Sequence, residues 1–183
     1  WEKKYEYNLG VDYGFFDNRL TGSLEGYVRN TKDLLWWYDV PTPPYQYDKL
    51  LANAGEMLSY GVELAVTGVP VQTKDVTWTS SLTLAWNENI ITKLSDPEKG
   101  FNYTSSPQGN LYGNKFNGSD SYTQILMEGG KVGQFYGYKW MGFNDKGEWV
   151  YEDQYGGPTA KPTAADKKYL GSAQPAVTYG WNN

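Results

Sequence analysis

From Tyr5 to Phe15 the chain alternates without a break: Tyr5, Tyr7, Leu9, Val11, Tyr13 and Phe15 occupy the odd positions, with Glu6, Asn8, Gly10, Asp12 and Gly14 between them. A two-residue period is the mark of a pleated strand, whose successive side chains point to opposite faces. After Phe16-Asp17-Asn18-Arg19 the pattern resumes with Leu20, Leu24 and Val28 against Thr21, Ser23, Glu25 and Arg29. Trp1–Arg29 therefore reads as a hairpin of two long strands. Each is about ten residues, roughly twice the usual length in a soluble sheet and about what a tilted strand needs to cross a bilayer. Alternation alone leaves two architectures open. A soluble sandwich buries the apolar face, whereas a membrane barrel turns it toward lipid.

Composition narrows the chemistry. Among 183 residues there are 17 Tyr and 8 Trp against 6 Phe, an excess of rings with one apolar body and one polar edge, which collect at membrane interfaces and binding surfaces. The formal net charge of -5 and the lack of a basic patch argue against nucleic acid as a partner, since that binding is dominated by Lys and Arg contacts to phosphate. There is no histidine and no cysteine, which removes the commonest general base, thiolate metal sites, disulfides and every Ser-His or Cys-His nucleophile. A glycosidase needs two carboxylates at a set separation, one with a raised pKa; here the acidic residues are scattered, so no catalytic residue and no cofactor is expected. No apolar run approaches the roughly 20 residues of a spanning helix. If this chain meets a membrane, it does so as strands.

Further strands follow. Residues 54–67 place Leu58, Tyr60, Val62, Leu64 and Val66 on one face against Ser59, Gly61, Glu63 and Ala65, and residues 77–92 place Trp78, Leu82, Leu84, Trp86 and Ile90 against Thr79, Ser81, Thr83, Asn87 and Asn89. Trp78 and Trp86 are eight residues apart, which at about 3.3 Å per residue and a tilt near 45° separates them in height by roughly 19 Å. Two aromatic girdles around an apolar band are spaced comparably. Between strands, residues 30–53 carry Pro41, Pro43 and Pro44 and read as a long loop. Residues 68–76 read as a short connection and residues 95–130, rich in Asn, Gly and Ser, as a second long loop. Short and long connections alternate, as in an outer-membrane barrel. Residues 132–143 and 148–151 read as a hairpin about Asn144-Asp145-Lys146-Gly147, residues 152–168 as a loop, and residues 175–181 as a last strand with Val177, Tyr179 and Trp181 on one face.

Four segments carry a family resemblance. In order they are WEKKYEYNLGVDYGFFDNRLTGSLEGYVRNTKDLL, NAGEMLSYGVELAV, EGGKVGQFYGYKWMGF and LGSAQPAVTYGWNN, and together they resemble the C-terminal barrel half of SusC/RagA-type TonB-dependent outer-membrane transporters. The resemblance implies an all-β fold, a long antiparallel meander forming part of a transmembrane barrel of about 22 strands in that family, with long extracellular loops. It also implies import of oligosaccharides or peptides across the outer membrane of a Gram-negative bacterium, with a SusD-like surface lipoprotein as partner and TonB as the source of energy. Residues 1–183 are then expected to be a fragment of the barrel domain, without the plug, the TonB box or the closing strands. The acidic Asp/Asn-Gly segment that many relatives carry after the FYGY strand is reduced here to Asn144-Asp145-Lys146-Gly147-Glu148, which lacks the alternating oxygen ligands of a calcium loop, and no metal is expected.

For cargo the chemistry asks for flat rings that stack on sugar faces. Trp36, Trp37 and Tyr38 in the first long loop and Tyr103 and Tyr112 in the second are the candidates, the alternative for Trp36 and Trp37 being a place in the outer aromatic girdle. Asn8, Asp12, Glu25, Glu63, Asn87 and Asn89 are expected to face the lumen, where polar residues are found whatever is carried. The competing reading is a soluble β-sandwich that binds carbohydrate. It requires Leu9, Val11, Leu64 and Leu84 to meet in a dry core.

Overall fold

A computed structural model describes residues 1–100, 103–111 and 122–183 of the chain. It divides into two units, Trp1–Asn102 with Pro175–Asn183, and Tyr103–Gln174.

The first unit is a five-stranded sheet in the order β1-β2-β3-β4-β12, made from β1 (Lys3–Phe15), β2 (Leu20–Asp39), β3 (Lys49–Gln72), β4 (Thr77–Lys93) and β12 (Val177–Asn182). All four pairings are antiparallel. The turn after β1 places Phe16, Asp17 and Asn18 at φ 56, 53 and 63, a left-handed path for which Asp and Asn are enriched. Arg19 donates its backbone N–H to the Phe16 carbonyl at 3.1 Å. The turn between β3 and β4 is equally tight, with Thr73 N–H donating to the Val76 carbonyl at 2.8 Å and Val76 N–H to Thr73 Oγ1 at 3.0 Å. Both short turns lie at one end of the sheet, while the longer excursions, residues 40–48 and 94–176, leave from the other.

Two sequence boundaries are corrected. The loop expected over residues 30–53 shrinks to 40–48, because Trp36, Trp37 and Tyr38 continue β2 and pair with Ala52, Leu51 and Leu50. These β-forming residues find cross-strand partners, and the prolines are confined to the tip. Likewise β3 runs through Gly68 to Gln72, with a bulge between Gly68 and Val71. At 24 residues and about 3.3 Å per residue, β3 extends roughly 80 Å, well beyond a hydrocarbon core about 30 Å thick even at a 45° tilt.

The sheet is a single layer within this unit, and its two faces differ. The register sets Leu9, Gly26, Val62, Trp86 and Val177 in one row and Val11, Leu24, Leu64, Leu84 and Tyr179 in the next. Leu9 is 78% exposed and Leu84 36%. Instead of meeting in a dry core, this apolar face is uncovered, and the sandwich reading fails on that point. Rings bracket the aliphatic residues: Tyr5, Tyr7 and Trp86 toward the long-loop end, and Phe15, Trp78 and Trp181 toward the short turns, all exposed. Buried apolar side chains among the described residues are only Tyr38, Ala54, Ile91 and Leu94, too few for a soluble domain of this size to be stabilised by burial.

The second unit holds a four-stranded sheet, β11-β7-β6-β5, and a three-stranded one, β10-β9-β8. Its strands are β5 (Ser105–Asn110), β6 (Tyr122–Met127), β7 (Gln134–Tyr138), β8 (Trp140–Phe143), β9 (Trp149–Glu152), β10 (Pro158–Thr159) and β11 (Lys167–Ser172). The expected hairpin over 132–151 is therefore split: β7 pairs with β6 and β11, whereas β8 pairs with β9 about the Asn144–Glu148 turn. Gly147 sits at φ 75, the left-handed position such a turn requires. In the main sheet β12 returns beside β4, so residues 103–174 are inserted in the sequence between two strands that are neighbours in that sheet.

Candidate functional site

The polar face of the five-stranded sheet follows from parity. Side chains at even positions of β1 and odd positions of β2, β3 and β4 share it, and the register aligns Asn8 with Tyr27, Gly61 and Asn87, then Gly10 with Glu25, Glu63 and Ala85, then Asp12 with Ser23, Ala65 and Thr83. One row toward the long-loop end stand Glu6, Arg29, Ser59 and Asn89. All six residues expected to face the lumen thus lie on one side.

Charge on this face is unevenly satisfied. Glu6 accepts from Arg29 through both oxygens, at 2.9 and 3.2 Å, from Asn8 at 3.3 Å, and forms an ion pair with Lys4 at 3.0 Å. The fork geometry of a guanidinium on a carboxylate fixes Arg29, which leans over the Tyr27 ring at 5.6 Å. Tyr27 in turn lies on Gly61, where a Cβ would stand 2.9 Å from the ring and 2.6 Å from the Trp86 carbonyl. The glycine is what lets the ring lie down. Two rows away Glu25 and Glu63 face each other directly, beside a hollow of about 340 Å³ that Ser23, Thr83 and Thr178 also line. Like charges placed opposite one another destabilise a sheet, and neither carboxylate, nor Asp12, makes an ion pair or hydrogen bond among the described residues. Such an arrangement suits a wet, high-dielectric surface, where the repulsion is weak.

The ring candidates separate. Tyr38 is fully buried, and its hydroxyl donates to the Leu94 carbonyl at 3.1 Å, so the expectation that it contacts cargo is withdrawn: neither its ring face nor its polar edge is available. Trp36 is half-buried on the same side of β2, while Trp37 is 61% exposed on the opposite side. Tyr103, in the second unit, is half-buried just ahead of β5. Tyr112 lies outside the described residues.

Two features escaped the sequence reading. Glu88 stands on the apolar face opposite Tyr60, whose hydroxyl donates to it at 2.7 Å. In the second unit, Glu152 is gripped by Lys139 at 2.6 Å and Lys168 at 2.7 Å, and these two ammonium groups hold its carboxyl at about 2. Asp166 accepts from the Thr163 N–H and hydroxyl and from the Gln154 N–H, bonds that keep it below the usual carboxylate range. Both groups act as struts of the insertion. Among the described residues no three acidic side chains converge as a metal-ligand set.

No family model matches the chain. Over 140 residues, 76% of its length, it is 34% identical to TonB-dependent receptor SusC of Bacteroides thetaiotaomicron, of which it spans 13%. Over its full length it is 30% identical to a TonB-dependent receptor of Formosa agariphila, of which it spans 19%. Its structure superposes on that of the RagAB peptide transporter with a TM-score of 0.74 and 28% identity, over 99% of this chain and 19% of that one. Against the RagAB peptide importer in its closed-closed state the TM-score is 0.75 at 26% identity, again over 99% of this chain and 19% of that one.

Proposed function

The chain belongs to the SusC/RagA-type TonB-dependent receptors, a family of receptors and not of enzymes, and from that premise we propose that its five-stranded sheet is part of the wall of a barrel in the outer membrane of a Gram-negative bacterium. In this reading the face bearing Leu9, Leu64 and Leu84 meets lipid, and the face bearing Asn8, Asp12, Glu25, Glu63, Asn87 and Asn89 lines the route of an oligosaccharide or peptide. The short turns are periplasmic, and the insertion over 103–174 is extracellular. Trp36 and Trp37, from opposite sides of β2, and Tyr103 are the candidate rings for cargo contact, a SusD-like lipoprotein is the partner at the cell surface, and TonB supplies the energy. The observation that carries this reading is a long-stranded sheet with a bare aliphatic face, bracketed by rings, backed by a face rich in Asn, Asp and Glu.

The chain has no cysteine, which suits spin labelling at single introduced cysteines in a cysteine-free full-length receptor in lipid. Labels at Leu9, Leu64 and Leu84 are expected to relax with dissolved oxygen, and labels at Asp12, Glu63 and Asn87 with a water-soluble nickel chelate. Aqueous accessibility at both sets would remove the barrel wall from consideration.

A further inference from the structure

The polar face carries one ring laid across its backbone. Tyr27 leaves β2 in the row Asn8, Tyr27, Gly61, Asn87 and rests on Gly61 of β3, where a Cβ would stand 2.9 Å from the ring carbons Cε1 and Cζ. Arg29, two residues on, goes the other way: its Nε and Nη2 donate to Glu6 of β1 at 2.9 and 3.2 Å. Its guanidinium carbon is 5.6 Å from the Tyr27 centroid, beyond the roughly 3.5–4.0 Å of carbon–carbon contact, so the cation rims the ring without capping it. Two of the five N–H groups of a guanidinium are thereby spent, and the others have no acceptor among the described residues. Past Gly61, on β4, the side-chain amide of Asn87 also makes no hydrogen bond among the described residues.

We propose that Tyr27 is a stacking platform for one pyranose unit of a neutral oligosaccharide, with Arg29 and Asn87 bonding the hydroxyls at its rim. The proposal rests on the reading of this face as the route of cargo, and the chemistry of the surroundings selects the sugar. A pyranose has a flat face of C–H bonds, which suits the negative face of an aromatic ring. Around its edge stand hydroxyls that both donate and accept, as the Asn87 amide does, while the free guanidinium N–H groups need acceptors. A proline or aromatic side chain of a peptide would cover Tyr27 equally well but would strip water from that rim without replacing its hydrogen bonds, which costs free energy. Charge argues for a neutral sugar. Glu6 already balances Arg29, and the next row holds Glu25 opposite Glu63, both without a counter-ion among the described residues, so a uronic acid here would meet repulsion.

The test offers the full-length receptor in nanodiscs three sets of probes: neutral malto-, cello-, xylo-, manno- and galacto-oligosaccharides, oligosaccharides of uronic acids, and a tryptic digest of casein. At least one neutral series should be retained. Tyr27→Ala should weaken its binding about tenfold, the loss of one aromatic contact, whereas Tyr27→Phe, which keeps the ring, should stay within about twofold of the parent. If Tyr27→Ala does not fold, Asn87→Ala removes an amide that holds nothing in the sheet and should weaken the same binding several-fold. Undiminished binding in Tyr27→Ala or, where that variant does not fold, in Asn87→Ala overturns the platform while leaving the reading of the wall intact. Retention of peptides or uronic acids alone, or of nothing, overturns the assignment to a neutral sugar. A spin label at position 27 that relaxes with oxygen and not with the nickel chelate overturns the reading of the polar face itself.

Discussion

Glu63 and Leu64 are neighbours in β3 whose side chains leave opposite faces of the sheet, so arginine at one position and then at the other tests the assignment of faces within a single residue step. Leu64 lies in the row of Val11, Leu24 and Leu84, near the middle of the band between the Tyr7 and Phe15 levels. A charge on the lipid face of a barrel costs about 2–4 kcal/mol for arginine at the midplane. At a factor of ten per 1.4 kcal/mol, Leu64→Arg should lower the ratio of folded to unfolded receptor roughly 30- to 700-fold. Glu63 stands opposite Glu25, so Glu63→Arg exchanges a like-charge pair for an opposite one, a change worth roughly 0.2–1 kcal/mol in the stabilising direction. The readouts are the guanidinium midpoint of the full-length receptor folded into lipid vesicles and its level in the outer membrane of the host. Leu64→Arg should depress both, and Glu63→Arg should match or exceed the parent. Equal losses at the two positions, or a greater loss at Glu63, would refute the assignment.

Further outcomes follow from the same geometry. Gly61→Ala drives a methyl into the Tyr27 ring and the Trp86 carbonyl and should cost about 1–3 kcal/mol as overpacking; combining it with Tyr27→Ala should recover part of the loss in a double-mutant cycle. Arg19 donates to the Val69 and Pro70 carbonyls at 3.0 Å, groups left over by the bulge after Gly68, and Arg19→Ala should cost about 0.5–1.5 kcal/mol and speed proteolysis at the β1–β2 turn. Glu152 has a folded-state pKa of about 2 against an ordinary value of 4.5. A depressed carboxylate contributes stability above its unfolded pKa and loses it as pH falls toward the folded one. Amide protection over residues 139–168, taken relative to the intrinsic exchange rate at each pH, should therefore fall between pH 4.5 and 2, and Glu152→Gln should flatten that dependence.

The parts of the fold legible in the sequence are those where packing and pattern coincide. Residues 5–15 and 78–90 alternate because one side of each strand meets an apolar surrounding and the other a wet one, and the same parity gathers Asn8, Glu25, Glu63 and Asn87 on one face. Ser105–Asn110 gave no such signal. It is polar and contains Pro107, and it is a strand only because it lies at the edge of its sheet beside β6, the position where a missing N–H is tolerated. Trp36–Tyr38 misled for the opposite reason: the nearby prolines suggested a loop, and cross-strand pairing with Leu50–Ala52 overrode them. The burial of Tyr38 could not be counted from Val28 either, because Asp33, at φ 57, belongs to a bulge that interrupts the two-residue count.

Three glycines in the sheet show how far pattern can go and where it stops. Gly22, Gly26 and Gly61 each interrupt the alternation of a strand in the same way in the sequence. In the structure Tyr13 lies over Gly22 on the apolar face and Tyr27 over Gly61 on the polar face, each ring occupying the space a side chain would have filled, a pairing that repays what a strand loses by carrying glycine. Gly26 has Leu9 opposite it in β1 and Val62 in β3, neither with a flat ring to lay across it. Whether a glycine becomes a seat for a neighbour or the floor of a groove is thus decided by the residue that register brings opposite, a relation between positions 17 and 36 residues apart in the chain that no local reading contains.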